Sequence, residues 1–339
     1  MRVELLTHES KLLADNPLGD PARRDVVVML PPSYDASTTR RYPVVLMLAG
    51  FGSNGWQLAI NRASWQTPLP QRLGDAMRAG CVGEAILVAP DCFSRYGGSQ
   101  YVDSPAIGRY QSYLCDELVP FVDERLRTIP RREARAVVGK SSGGYGAMVL
   151  AMQRPDVVAA CASHAGDGAF EISYLRELPQ TVLTLEKRGG LRAFLQWFEE
   201  QPAKGHAAFE LMSHVCCAAA WSPSPAGPYG FGEGFEFPVN LLTAALRDDV
   251  WRRWLAADPV RMVDEARWRA GLSQMRAIYL DAGRSDEYNL QLATRQLAAK
   301  LAQHGLSCQH EEFDGGHSNT SHRYERSLAA VGAVLERDP

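Results

Sequence analysis

A surplus of one charge is the first thing this sequence lacks: 36 Lys and Arg stand against 39 Asp and Glu in 339 residues, mixed along the chain. A nucleic-acid-binding face needs clustered cations to neutralise phosphates, so that partner class is set aside. No apolar run approaches the about 20 residues that span a bilayer, so no membrane span is expected. Residues 1–16 carry Arg2, Glu4, Glu9 and Lys11 and lack the unbroken apolar stretch of a signal peptide. The seven cysteines are odd in number, and several lie in apolar surroundings, which suits free thiols; a cytoplasmic protein is the expectation. His206, His214, Cys216 and Cys217 fall close together but match no paired zinc-ligand spacing, so no metal is expected. The glycines of residues 50–55 (GFGSNG) lack the acidic partner of a dinucleotide site, and no organic cofactor is expected either. Nothing indicates a homo-oligomer, an internal repeat or a low-complexity tract.

What is present is an alternation of short buried apolar runs with amphipathic segments. Strands are read at residues 25–30, 42–49, 84–89, 134–138, 157–163, 277–281 and 308–313, and helices at about 108–127, 143–153, 287–304 and 322–335. Runs such as YPVVLMLA (42–49) are apolar on both faces, the pattern of strands covered by helices on each side. The fold class expected is α/β, a doubly wound, mainly parallel sheet. From about residue 164 to 273 the alternation stops. Helical patterns at 173–187, 191–200 and 206–220 lead to an aromatic-bearing Pro/Gly loop at 222–238. The chain is therefore read as a core of residues 1–163 and 274–339 interrupted by a helical cap, 164–273.

Residues 134–148 (ARAVVGKSSGGYGAM) read as strand, Gly-x-Ser-x-Gly turn and helix start. Gly139 and Gly143 flank Ser141, so a sharp turn can present its hydroxyl at a helix N-terminus. A serine nucleophile needs a base, and the base an orienting acid. Asp286 and His317 each follow a late strand, in the order Ser, Asp, His. Asp281 and Glu287 compete for the acid's place and His322 for the base's; Asp286 and His317 are preferred. Backbone N–H groups of Phe51 and Ser142 are the candidate oxyanion donors. Candidate pocket residues are Gly52, Tyr101, His164, Trp221 and Phe231.

The sequence resembles the putative-esterase branch of the α/β-hydrolase superfamily, which includes S-formylglutathione hydrolase-like, feruloyl-esterase-like, enterochelin-esterase-like and mycolyltransferase-like proteins. The resemblance is carried by YPVVLMLAGFGSNG (42–55), APD (89–91), ELVPFVDERLRT (117–128), GKSSGGYGAM (139–148), LDAGRSDEY (280–288) and FDGGHS (313–318). It implies Ser141 as nucleophile, Asp286 as acid and His317 as base. Ala49 stands where relatives commonly have His, and Ser142 where they often have Met. The function expected is hydrolysis of a small to medium ester, with an apolar or aromatic portion, through an acyl-enzyme. An acyltransferase using the same residues and a catalytically silent binding protein are the alternatives.

Overall fold

The computed structural model describes residues 1–60, 65–225 and 234–338. At its centre is an eight-stranded sheet in the order β1-β2-β4-β3-β7-β8-β9-β10. These strands are β1 (Arg2–Glu9), β2 (Arg23–Leu30), β3 (Val44–Leu48), β4 (Ile86–Pro90), β7 (Arg135–Lys140), β8 (Ala160–His164), β9 (Ala277–Gly283) and β10 (Gln309–Phe313). A small hairpin of β5 (Asp103–Ser104) and β6 (Gly108–Arg109) stands apart. Within the large sheet β4, β3, β7, β8, β9 and β10 run parallel, while β2 is antiparallel to both β4 and β1.

Side-chain alternation along the strands creates two apolar layers. Val28, Leu46, Val137 and Leu280 join one cluster, which also takes in Phe170, Phe194, Val215 and Trp254 from the helices between β8 and β9. Val27, Met47, Val138 and Tyr279 face the other way, against the helices Leu69–Arg78 and Tyr324–Gly332. Helices thus cover both faces, and the sheet is α/β and mainly parallel, as its apolar runs predict.

Two local features differ from the expectation. The charged N-terminal residues form the edge strand β1, half-exposed along its length, where alternating charges suit a face open to water. The segment expected as one helix over 108–127 is helical from Tyr110 to Arg125 but widens to a π-turn over Tyr113–Leu118. Pro120 has no N–H to give back to the preceding turn, and the wider turn accommodates its ring. Residues 164–273 pack on the core as an insertion. Their helix Ala266–Leu272 lies on Ser142–Gln153 so closely that a Cβ at Gly271 would stand 2.2 Å from the Met152 carbonyl oxygen.

Candidate active site

The site lies at the carboxyl edge of the parallel strands, where ligands of open α/β sheets bind. β7 ends in Lys140, and Ser141 turns the chain into the helix Ser142–Gln153 with φ 56° and ψ −124°, a strained conformation for a residue with a side chain. Two close approaches permit this turn. A Cβ at Gly139 would lie 2.1 Å from the Gly143 oxygen, and one at Gly143 would lie 2.1 Å from the Leu48 oxygen. The Ser141 N–H donates to the His164 carbonyl at 2.9 Å, which ties the turn to β8.

The loops after β9 and β10 converge on this serine. His317 Nε2 is 3.0 Å from Ser141 Oγ, and His317 Nδ1 is 2.8 Å from Asp286 Oδ2. The other Asp286 oxygen accepts the Tyr288 N–H at 3.0 Å, and the carboxyl is fully buried. Glu287 Oε2 accepts the backbone N–H of His317 at 2.9 Å, and the Tyr288 ring meets the imidazole edge-on with centroids 4.9 Å apart. The imidazole is therefore held from its backbone, its face and its far nitrogen. Across the site, neither the Phe51 N–H nor the Ser142 N–H donates to any acceptor among the described residues.

The competing candidates lie elsewhere. His322 is exposed beside Phe313. Asp281 is bonded to His164 Nδ1 at 2.7 Å, to the Tyr279 hydroxyl at 2.9 Å and to Arg323 Nε at 2.8 Å, and His164 Nε2 is 2.8 Å from Ser327 Oγ. Ser327, His164 and Asp281 thus repeat the Ser–His–Asp connectivity, but all three are buried under the C-terminal helix and none lines the space beside Ser141. Burial alone would raise the Asp281 carboxyl, yet the imidazole, guanidinium and phenol around it hold it below the usual carboxylate range. His164 is accordingly a structural tie between β8, β9 and that helix, which corrects its expected place in the pocket.

The other expected pocket residues also need correction. Tyr101 is buried, and its hydroxyl donates to the Ala49 carbonyl at 2.6 Å; it braces the loop before Phe51 from behind. The N–H of Gly52 donates to Gly97, and the Phe209 ring occupies the place of its absent side chain. Trp221 stacks on Phe170 with centroids 4.4 Å apart and packs against Trp254, so its large surface is spent inside the core. Phe231 lies outside the described residues.

The open space beside Ser141 and His317 is a cavity of about 250 Å³ walled by Phe51, Tyr174, Phe209, His214 and Tyr288. Three carboxylates, Asp167, Glu177 and Glu210, also face it. Asp167 was not anticipated, although the Gly-Asp-Gly that follows β8 at the active edge signals a polar group brought close to a ligand. Burial pushes its carboxyl up to about 6; the Tyr174 hydroxyl, the charge of His317 and the Gln100 amide oppose the shift. Gln100 also accepts the Ser142 hydroxyl, so Asp167 is linked to the residue after the serine. The buried His214 ring bonds Thr181 through Nδ1 at 2.6 Å, and burial lowers its pKa to about 4, leaving it neutral. A second cavity of about 450 Å³ opens on the other side of Gly50, Phe51 and Lys140.

Solved structures share this arrangement of the chain. A ferulic acid esterase superposes with a TM-score of 0.62 at 18% identity, over 99% of this chain and 98% of the other. An S-formylglutathione hydrolase from Agrobacterium tumefaciens gives 0.58 at 15% identity, over 98% and 95% of the two chains. A fluorophosphonate-binding serine hydrolase from Staphylococcus aureus gives 0.57 at 14% identity, over 96% of each. At such identities the likeness establishes the fold. No curated protein matches the chain by sequence. The family model described as "Putative esterase" matches residues 21–331, nearly the whole chain. The chain therefore belongs to the Putative esterase family and is an α/β-hydrolase-fold carboxylic ester hydrolase.

Proposed function

We propose that the protein cleaves esters through an acyl-enzyme on Ser141, with His317 as base and Asp286 as the group that orients it. The observation carrying this reading is the unbroken line of hydrogen bonds from Asp286 Oδ2 through both ring nitrogens of His317 to Ser141 Oγ, beside an open cavity. His317 Nε2 accepts the hydroxyl proton as Oγ attacks the ester carbonyl, and the buried Asp286 carboxylate stabilises the resulting imidazolium. The N–H groups of Phe51 and Ser142, unused by other acceptors, receive the negative charge that develops on the carbonyl oxygen. The imidazolium then protonates the departing alcohol, and a water activated by the same ring releases the acid.

The substrate class follows from the walls. A cavity of about 250 Å³ has room for a short or single-ring acyl group. Its aromatic side chains favour an apolar or aromatic portion. Residues 164–273 act in this reading as the cap, since Tyr174, Phe209 and His214 supply that wall. The seven free cysteines, five of them buried, support a cytoplasmic location.

Ser141→Ala tests the reading. Without the nucleophile, hydrolysis of a para-nitrophenyl acyl ester falls by about 10⁴-fold or more and labelling by a fluorophosphonate probe disappears. Retained turnover would refute the assignment of Ser141.

A further inference from the structure

We infer that the second cavity is the subsite for the alcohol side of the ester and that the Lys140 ammonium anchors a carboxylate there; this rests on the Ser141 reading above. Lys140 ends β7 and shares the face of Ala136 and Val138, four and two residues earlier, which pack on the side of the C-terminal helix. Its side chain accordingly leaves the sheet toward Tyr324 and Thr320, which line the second cavity. It is the residue immediately before the nucleophile, and it lines both cavities. No hydrogen bond or ion pair to its ammonium is made among the described residues, and the residue is only part-buried. The ammonium is thus a cation without a close acceptor, placed between two spaces that meet at the reacting serine. A ligand carboxylate that reaches it gains a charge-assisted hydrogen bond that no side chain of the protein already makes.

The two cavities differ in charge. The first is faced by Asp167, Glu177 and Glu210. The second has no acidic residue among its described lining residues; apart from Lys140, its polar groups are neutral hydroxyls and amides, including Ser53, Gln57, Thr67, Asn319 and Thr320. An anionic group is repelled from the first and finds a cation and hydroxyl donors in the second. At about 450 Å³ the second cavity is also the larger, with room for a substituted alcohol. Charge therefore sorts the substrate: a compact neutral acyl group lies toward Tyr174 and Phe209, and a carboxylate-bearing alcohol toward Thr320. Burial moves the Lys140 pKa down from the ordinary lysine range, while Asp286, Glu287 and Asp167 favour its charged form.

The test is a matched set of acetates of phenols bearing a meta carboxylate, a meta methyl ester or a meta trimethylammonium group. Each kcat/KM is divided by the ester's own hydroxide-catalysed rate. The carboxylate ester is expected to exceed the neutral one by about tenfold, the worth of one charge-assisted hydrogen bond, and the cationic ester to fall below both. Lys140→Gln should bring the carboxylate-to-neutral ratio close to one, and Lys140→Arg should retain part of it. Asn319→Asp, which places a carboxylate in the cavity without touching the lysine, should lower the ratio independently. Titration with a fluorophosphonate confirms the fraction of each variant with an intact site. A wild-type ratio of one or less, or a ratio unchanged in both Lys140→Gln and Asn319→Asp, overturns the inference. Turnover of the neutral acetate that survives Ser141→Ala refutes the underlying reading instead, so the two failures are distinct.

Discussion

Asp167 carries a stability penalty that a neutral side chain of the same shape should relieve. Its carboxyl sits at about 6 rather than near 3.8, because burial beside the cavity disfavours the charge more than its hydrogen bonds favour it. The folded protein therefore holds a proton that the unfolded chain releases, so stability falls as pH rises from about 4 to about 7 and then levels off. A displacement of about two pH units is worth about 3 kcal/mol at neutral pH, and about half of that near pH 5. Asp167→Asn keeps an oxygen to accept from Tyr174 or Gln100 and never ionises. The variant is expected to be more stable than wild type by up to about 3 kcal/mol near pH 7, the gap closing toward pH 4. Urea unfolding of both proteins across this range measures it, with the difference between the two curves cancelling the groups they share. A variant no more stable than wild type near neutrality, or a gap independent of pH, would refute the reasoning. The charge of His317 opposes this upward shift, so the carboxyl and the imidazole are electrostatically linked.

Two further outcomes separate the Ser141–His317–Asp286 cluster from its buried counterpart. Asp281→Asn removes the carboxylate that His164, Tyr279 and Arg323 share, while Arg323 keeps Glu311, and a loss of about 1–3 kcal/mol is expected by denaturant unfolding; fluorophosphonate labelling of Ser141 in the fraction still folded should persist, and its loss there would make Asp281 part of the catalytic machinery. Gly143→Ala drives a Cβ to within 2.1 Å of the Leu48 oxygen, so the serine turn and the Phe51 loop are forced apart. Ester turnover should fall by about 10²-fold or more because oxyanion donors tolerate little displacement. A Gly143→Ala enzyme with wild-type kcat would show that the two loops are not in register.

Much of the site was readable from the order of residues because each part is local. Gly139, Ser141 and Gly143 announce a turn whose geometry depends on four or five consecutive residues. Asp286 and His317 each follow a strand pattern by a few positions, and the parallel sheet brings such loops to one edge. The uncertain points were those in which burial decides. His164 and His317 both follow strands near that edge, yet the face on which His164 lands sends it under the C-terminal helix to Asp281 and Ser327. A side chain's face depends on strand register, and a shift of one residue reverses it. Trp221 and Tyr101 were read as lining residues because aromatic side chains suit both a core and a pocket, and composition does not distinguish the two. Likewise, the charge pattern of residues 2–9 hid a strand that only its pairing with Arg23–Leu30 reveals.

The fold class and the meeting of Ser141, Asp286 and His317 were thus set by short-range patterns: a Gly-x-Ser-x-Gly turn, two strand-end loops and apolar runs of the right length. The shape and charge of the two cavities were not. They arise where Phe209, His214, Asp167 and Lys140, far apart along the chain, meet around Ser141. The pKa of Asp167, the neutrality of His214 and the unpaired state of Lys140 are properties of the space around these groups, and that space exists only once distant segments have packed together.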